Sequence, residues 1–229
     1  MSHGRRWGRL AAALVAVCLG GCVSFAPSAL EQGARTVDPE ALAIPACTEV
    51  EPGDLDDRDH LEPDEAPPAS ELYDSDLPTT GPHFGRWSPV IDGLPAEPMD
   101  VRALLHNMEH GAVVVWVNPD LLDVGTLDFV EDWRAQLGAA GFDNEDTGAA
   151  VFTSRFPGTV GETDVAVALR AWGVGIDCTG WDLGVADAFV GLHYGTRGAA
   201  PESELGPWPS GNGVLVGPPG ADEGVTTTV

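Results

Sequence analysis

The run Ala112-Val113-Val114-Val115-Trp116-Val117, stopped by Asn118-Pro119, constrains the fold more than any other stretch of the 229 residues. It is apolar and β-branched throughout, as expected of a buried central strand. A polar, histidine-rich stretch feeds directly into it: Leu105-His106-Asn107-Met108-Glu109-His110-Gly111. Upstream stands Thr79-Thr80-Gly81-Pro82-His83-Phe84-Gly85-Arg86-Trp87. Three of the six histidines fall between Thr79 and Asn118, and no other part of the chain concentrates reactive side chains this way. Any chemical site is expected here.

The elements around the strand follow from periodicity and caps. Residues 100–109 come after Pro95 and Pro98, with Asp100 as N-cap and Val101, Leu104, Leu105 and Met108 at helical spacing. This helix is expected to end at Gly111. Residues 126–137 carry Leu127, Val130, Arg134 and Leu137 on one side and Asp128, Glu131 and Asp132 on the other. That pattern predicts an amphipathic helix capped at Thr126 and ended by Gly138. Residues 149–156 and 164–172 are strand candidates joined through Pro157-Gly158, and 183–194 reads as a final helix. The order β-α-β-β-α predicts an α/β or α+β domain with helices packed on a small mixed sheet. Residues 47–77, rich in Asp, Glu and Pro, precede it as an irregular wrap.

The chain ends read differently. Residues 1–22 have a charged region (Arg5, Arg6, Arg9), a short apolar core over 10–19, and small residues leading to Cys22. A membrane span needs about 20 apolar residues, so this is a secretory leader and not a span. Leu19-Gly20-Gly21-Cys22 resembles the bacterial lipobox, in which the cysteine carries the lipid. Residues 23–45 read as a tether, 46–198 as the globular domain and 199–229 as a disordered tail. The expected location is extracytoplasmic, with the membrane as partner through a lipid anchor. A formal net charge of −25, with all 11 basic residues Arg, excludes nucleic acid as a partner, because binding it needs a basic face. Of the four cysteines, Cys18 belongs to the leader and Cys22 to the anchor. Cys47 and Cys178 remain, and two cysteines in an oxidising compartment most simply pair.

The segments Leu77-Pro78-Thr79-Thr80-Gly81-Pro82-His83 and 105–116 together resemble an uncharacterised bacterial family catalogued as domain of unknown function 3105. Its members carry Pro-Pro-Thr-Ser-Gly-Pro-His and then His-x-x-Glu-His-Gly running into a hydrophobic strand. Here Leu77 replaces the first Pro and Thr80 the Ser, and His60 and Tyr73 fall where the family has a His and a Tyr. The resemblance spans residues 59–194. It implies an envelope or secreted setting and supplies no established activity.

The histidines admit three readings. His106 and His110, four apart, meet on one helix face, a common geometry for two ligands of one metal ion. His83 would supply a third nitrogen and His60 a fourth, with Met108 and Glu109 beside them, which suits copper or zinc. In the second reading the same residues are structural: His106 and His110 cap the helix, and His83 braces the Gly81-Pro82 turn. The third takes His106-x-x-Glu109-His110 as an inverted zinc-peptidase motif, but Gly111 breaks the helix too early for that. No catalytic residue is assigned. Trp87, Trp116, Trp133, Trp172 and Trp181 are expected to be core or to cover the sheet edge.

Overall fold

The computed structural model describes residues 39–157, 164–195 and 199–203. The expected leader with Cys22, residues 23–38 of the expected tether and residues 204–229 of the expected tail lie outside them. The described elements begin with a 3-10 turn (Pro39–Leu42), β1 (Cys47–Val50), β2 (His60–Leu61) and a single-turn helix α1 (Ala69–Leu72). Next come β3 (His83–Phe84), α2 (Val101–Glu109), β4 (Val113–Val117) and α3 (Val124–Ala139). The chain continues through β5 (Val151–Arg155), β6 (Val167–Ala171), β7 (Val174–Cys178) and α4 (Leu183–His193).

Five strands form a mixed sheet in the order β1-β7-β6-β4-β5, and β2 pairs with β3 in a separate parallel ribbon. Strand β4 runs parallel to β5 and antiparallel to β6, so it is interior and hydrogen-bonded on both edges. Its side chains alternate between two buried clusters. Val113, Val115 and Val117 join Val130, Trp133 and Leu137 of α3 and Val185, Phe189 and Val190 of α4. Val114 and Trp116 join Val101, Leu104, Leu105 and Met108 of α2. The unbroken apolar run is thereby explained: both faces of the sheet are covered, so neither set of alternate residues meets water. This is the expected mixed α+β arrangement, with helices on both faces. Among the described residues, no helix is long and apolar enough to cross a membrane.

The local expectations hold unevenly. Helix α2 begins as expected, with Asp100 Oδ1 accepting from Arg102 N at 2.9 Å. It stops at Gly111, whose φ of +95° a residue with a Cβ adopts only under strain. Helix α3 corrects the expected 126–137. Its cap is Asp123, whose Oδ1 accepts from Thr126 N at 2.8 Å, so the helix starts at Val124. Gly138 lies inside it, and the chain turns at Gly141 (φ +94°). The strand candidate 149–156 shortens to Val151–Arg155, and β5 and β6, adjacent in sequence, lie on opposite sides of β4. An unexpected strand, β7, follows β6 through the tight turn Trp172-Gly173, so the order from β4 onward is β-α-β-β-β-α.

The wrap holds β1 at the sheet edge, where Cys47 stands opposite Cys178 of β7 and the two form the expected disulfide. Leu42 and Ile44, in the stretch read as tether, pack against the core. Ala200 and Ser203, in the stretch read as tail, are buried.

Candidate metal centre

Three segments meet at the polar face of α2. In the parallel β2–β3 ribbon, His60 pairs with His83 and Leu61 with Phe84, which sets two histidines side by side. The ribbon lies against α2, where Arg102 stacks on the Phe84 ring with its guanidinium carbon 4.5 Å from the centroid. The approach to His83 is fastened to the sheet: Leu77 O accepts from Arg170 Nε (2.9 Å) and Thr79 O from Gly173 N (3.0 Å). At Gly81 (φ +131°) the backbone passes so close to Tyr73 that a Cβ would lie 2.9 Å from its ring. The Tyr73 hydroxyl donates to Pro82 O.

Two buried imidazoles are oriented by backbone carbonyls. His83 Nδ1 donates to Gly81 O (2.8 Å) and His106 Nδ1 to Phe84 O (2.6 Å). Each ring is left with Nε2 free of the backbone, toward Glu109 from His83 and toward His110 from His106. His106 stacks on His60 (centroids 5.0 Å, 13°) and on His110 (4.9 Å, 15°), while His83 meets both His60 and His106 edge-on. His60, His83 and His106 each offer a nitrogen, and all three nitrogens lie within 4.8 Å of one another, so the group could hold a metal ion.

Glu109 reaches the same point from α2. Its Oε2 lies 3.0 Å from His83 Nε2 and 3.5 Å from His60 Nε2, and Oε1 lies 3.5 Å from Arg58 Nη1. His83 is 0 % exposed and Glu109 1 %, so the carboxylate is neutralised by these neighbours and hardly by water. Burial pushes the Glu109 carboxyl up, yet hydrogen bonding and attraction from His83 and His60 outweigh it and hold the group below the usual carboxylate value. Burial and the neighbouring histidines push His106 down despite its bond to Phe84 O. His110 is also pushed down, mainly by burial, with Glu202 and Glu109 opposing. Neutral rings keep a lone pair for a cation.

Of the four expected histidines, exposed His60 joins His83 and His106 in the group that could hold an ion, and His110 stacks beside His106. His110 caps α2, and its Nε2 lies 3.0 Å from His106 Nε2 and 3.3 Å from Glu202 Oε2. Because His106 Nε2 is the acceptor in the neutral ring, His110 donates there, which leaves His110 Nδ1 buried without a partner. Met108, expected beside the metal, lies about 200° round the helix from His106 and packs in the apolar cluster. The sequence reading missed Arg58, Glu202 and the role of Trp87, whose ring stands edge-on to His106 (5.6 Å) and His110 (5.0 Å). Arg58 reaches Glu109 through the ribbon that begins two residues on, at His60. Glu202 carries no local signal. Of the other tryptophans named above, Trp116, Trp133 and Trp172 are buried and Trp181 packs half-buried against the core.

A cavity of about 180 Å³ lies elsewhere, lined by Leu77, Phe156, Arg170 and Asp177 among others. Arg170 is committed there to Leu77 O, Leu169 O, Ile176 O and Asp177, so the cavity offers little unspent chemistry.

Comparison with known proteins adds a family. The family model described as "protein of unknown function (DUF3105)" matches residues 68–206, more than half of the chain. The chain belongs to the DUF3105 family. The matched span of this DUF3105 protein carries His83, His106, Glu109 and His110, whereas Arg58 and His60 lie ahead of it. No curated protein matches the chain, and neither does any solved structure.

Proposed function

We propose that this DUF3105 domain binds a transition-metal ion, copper or zinc, through His60, His83 and His106. One observation carries the reading: both buried imidazoles spend Nδ1 on a backbone carbonyl, which leaves Nε2 as the nitrogen open to an ion, and nitrogens of all three rings lie within 4.8 Å of one another. Metal-bound histidines characteristically have this second hydrogen bond, which fixes tautomer and ring orientation. His110 then serves as neighbour, able to hand its Nε2 proton from His106 to Glu202 when a cation takes the His106 lone pair.

A structural role is the competing reading, favoured by the 3.0 Å contact of His83 Nε2 with Glu109, which pairs the two groups without an ion when both ring nitrogens carry a proton. The peptidase reading is weakened because Glu109 is engaged by His83, His60 and Arg58 and not free to act on a water. Thermal melting of the chelator-stripped full chain separates the first two. A metal at about 100 times its Kd stabilises by about 2.7 kcal/mol, or roughly 5–10 °C for a domain of this size. The shift is expected with zinc or copper and is expected to vanish in His106→Ala. A melting temperature unmoved by saturating metal assigns the histidines to structure.

We further propose that Cys22 carries lipid and holds the domain on the outer face of a bacterial cell membrane, on the strength of the leader and Leu19-Gly20-Gly21-Cys22. Stable attachment takes two or more acyl chains. Cys22→Ser is expected to leave the membrane fraction; retention with unchanged processing would refute the anchor.

A further inference from the structure

We infer that Glu109 is the fourth ligand, making a site of three imidazoles and one carboxylate that selects Zn(II) or Cu(II) over Cu(I). This rests on the metal reading above and adds the donor that sets its preference.

The position of the carboxylate is the first reason. A carboxylate that merely orients a metal-bound histidine bonds the ring nitrogen facing away from the metal. On both buried rings that nitrogen is already taken, by Gly81 O on His83 and by Phe84 O on His106. Glu109 Oε2 lies instead on the inward edge, 3.0 Å from His83 Nε2 and 3.5 Å from His60 Nε2. On His83 and His60 it shares the edge from which a cation would be bound.

Donor chemistry is the second. Cu(I) is selected by soft sulfur ligands, while imidazole and carboxylate suit divalent ions. Met108 packs in the apolar cluster on the other face of α2, and the sulfurs of Cys47 and Cys178 are joined at the β1–β7 edge. Met99 also packs against the apolar cluster, so among the described residues nitrogen and oxygen remain as donors at the site.

Charge is the third. A buried carboxylate needs a cation. Arg58, 3.5 Å from Oε1 and 41 % exposed, is the solvent-facing one. A divalent ion would take over that duty, and the guanidinium can return to water at little cost. His60, 48 % exposed on a two-residue strand, is the ring whose inward movement would close the 4.8 Å spread toward bonding distance. Arg58 is therefore a placeholder that competes with the metal.

The test uses the chelator-stripped full chain, with Zn(II), Cu(II) and anaerobic Cu(I) each titrated against a chromophoric competitor. Glu109→Gln is expected to weaken Zn(II) binding by at least about tenfold and to leave Cu(I) affinity unchanged. Arg58→Ala, at an exposed position, is expected to tighten Zn(II) severalfold with an unaltered circular dichroism spectrum. Zn(II) held as tightly by Glu109→Gln as by the parent overturns the fourth ligand. No tightening in Arg58→Ala overturns the placeholder, and it decides the matter should Glu109→Gln not fold. A parent chain that binds none of the three ions refutes the metal reading itself, whereas a parent that binds and prefers Cu(I) refutes only the assignment of Glu109.

Discussion

Helix α2 buries both of its faces, and the two interiors differ in kind. One carries Val101, Leu104, Leu105 and Met108 against Val114, Trp116 and Phe152. The other carries His106 and Glu109 against the β2–β3 ribbon. Each apolar side chain gains from area removed from water, roughly 25 cal/mol per Å², and nearly any neighbour of the right shape will serve. Each polar atom needs a particular partner at a particular distance, because an unpaired one costs about 1–3 kcal/mol. The apolar face therefore tolerates substitution that conserves volume. The polar face was built for arrangement, and that is where a function is expected.

The largest effect should come from breaking the apolar side. Trp116 is buried in β4, and Trp116→Ala is expected to cost about 3–5 kcal/mol in chemical denaturation. Metal affinity of the folded fraction should be unchanged, since the imidazoles are held by carbonyls of the ribbon segment and not by Trp116. A loss of metal affinity in that variant would merge the two faces into one unit.

The next effect concerns the sheet edge at β1 and β7, outside both faces of α2. Cys47 and Cys178 close a loop with a sequence separation of 131. Replacing both with Ser is expected to cost about 2–4 kcal/mol, below the roughly 5 kcal/mol of the chain-entropy limit. Strand β1 carries little buried apolar surface of its own, so limited proteolysis should cut near it first in this variant. Unchanged stability would mean that Leu42 and Ile44 hold the segment without the bridge.

The smallest effect sharpens the contrast between histidines. His193 packs on Phe189, ring centroids 4.6 Å apart, and burial pushes it down to about 4. The unfolded chain, with an ordinary value near 6.5, takes up this proton first as pH falls, so stability is full above that value and lost toward pH 4. About 1–2 kcal/mol should disappear between pH 7 and pH 5. His193→Gln is expected to flatten that slope in denaturation curves. An equally steep slope in the variant would shift the acid sensitivity to His106 and His110, which burial pushes in the same direction.

Much of this was legible in advance because it is local. An apolar run without alternation reports a strand covered on both faces, and Asp100 and Gly111 mark the limits of α2 through backbone hydrogen bonding and φ alone. Counting cysteines found the bridge. Strand β7 escaped because Gly175 and Asp177 dilute its apolar pattern, although Gly175 and Ile176 are buried by pairing with β6 and β1. The start of α3 is ambiguous in the sequence because both Thr and Asp cap helices, and only the 2.8 Å bond that Asp123 Oδ1 accepts from Thr126 N distinguishes them.

By itself, the sequence determined that a helix bearing His106 runs into one buried apolar strand, that the sheet is mixed and helix-covered, and that two cysteines pair. Only the tertiary structure decided which histidines meet. His106 and His110 are neighbours by helical spacing, whereas His60 and His83 come together through the register of a two-residue parallel ribbon, and no periodicity encodes that register. The same ribbon brings Arg58 to Glu109, and the segment at Ala200 brings Glu202 to His110. Such contacts join residues distant in the chain, and their geometry is set by how the layers pack and not by any propensity of the residues that make them.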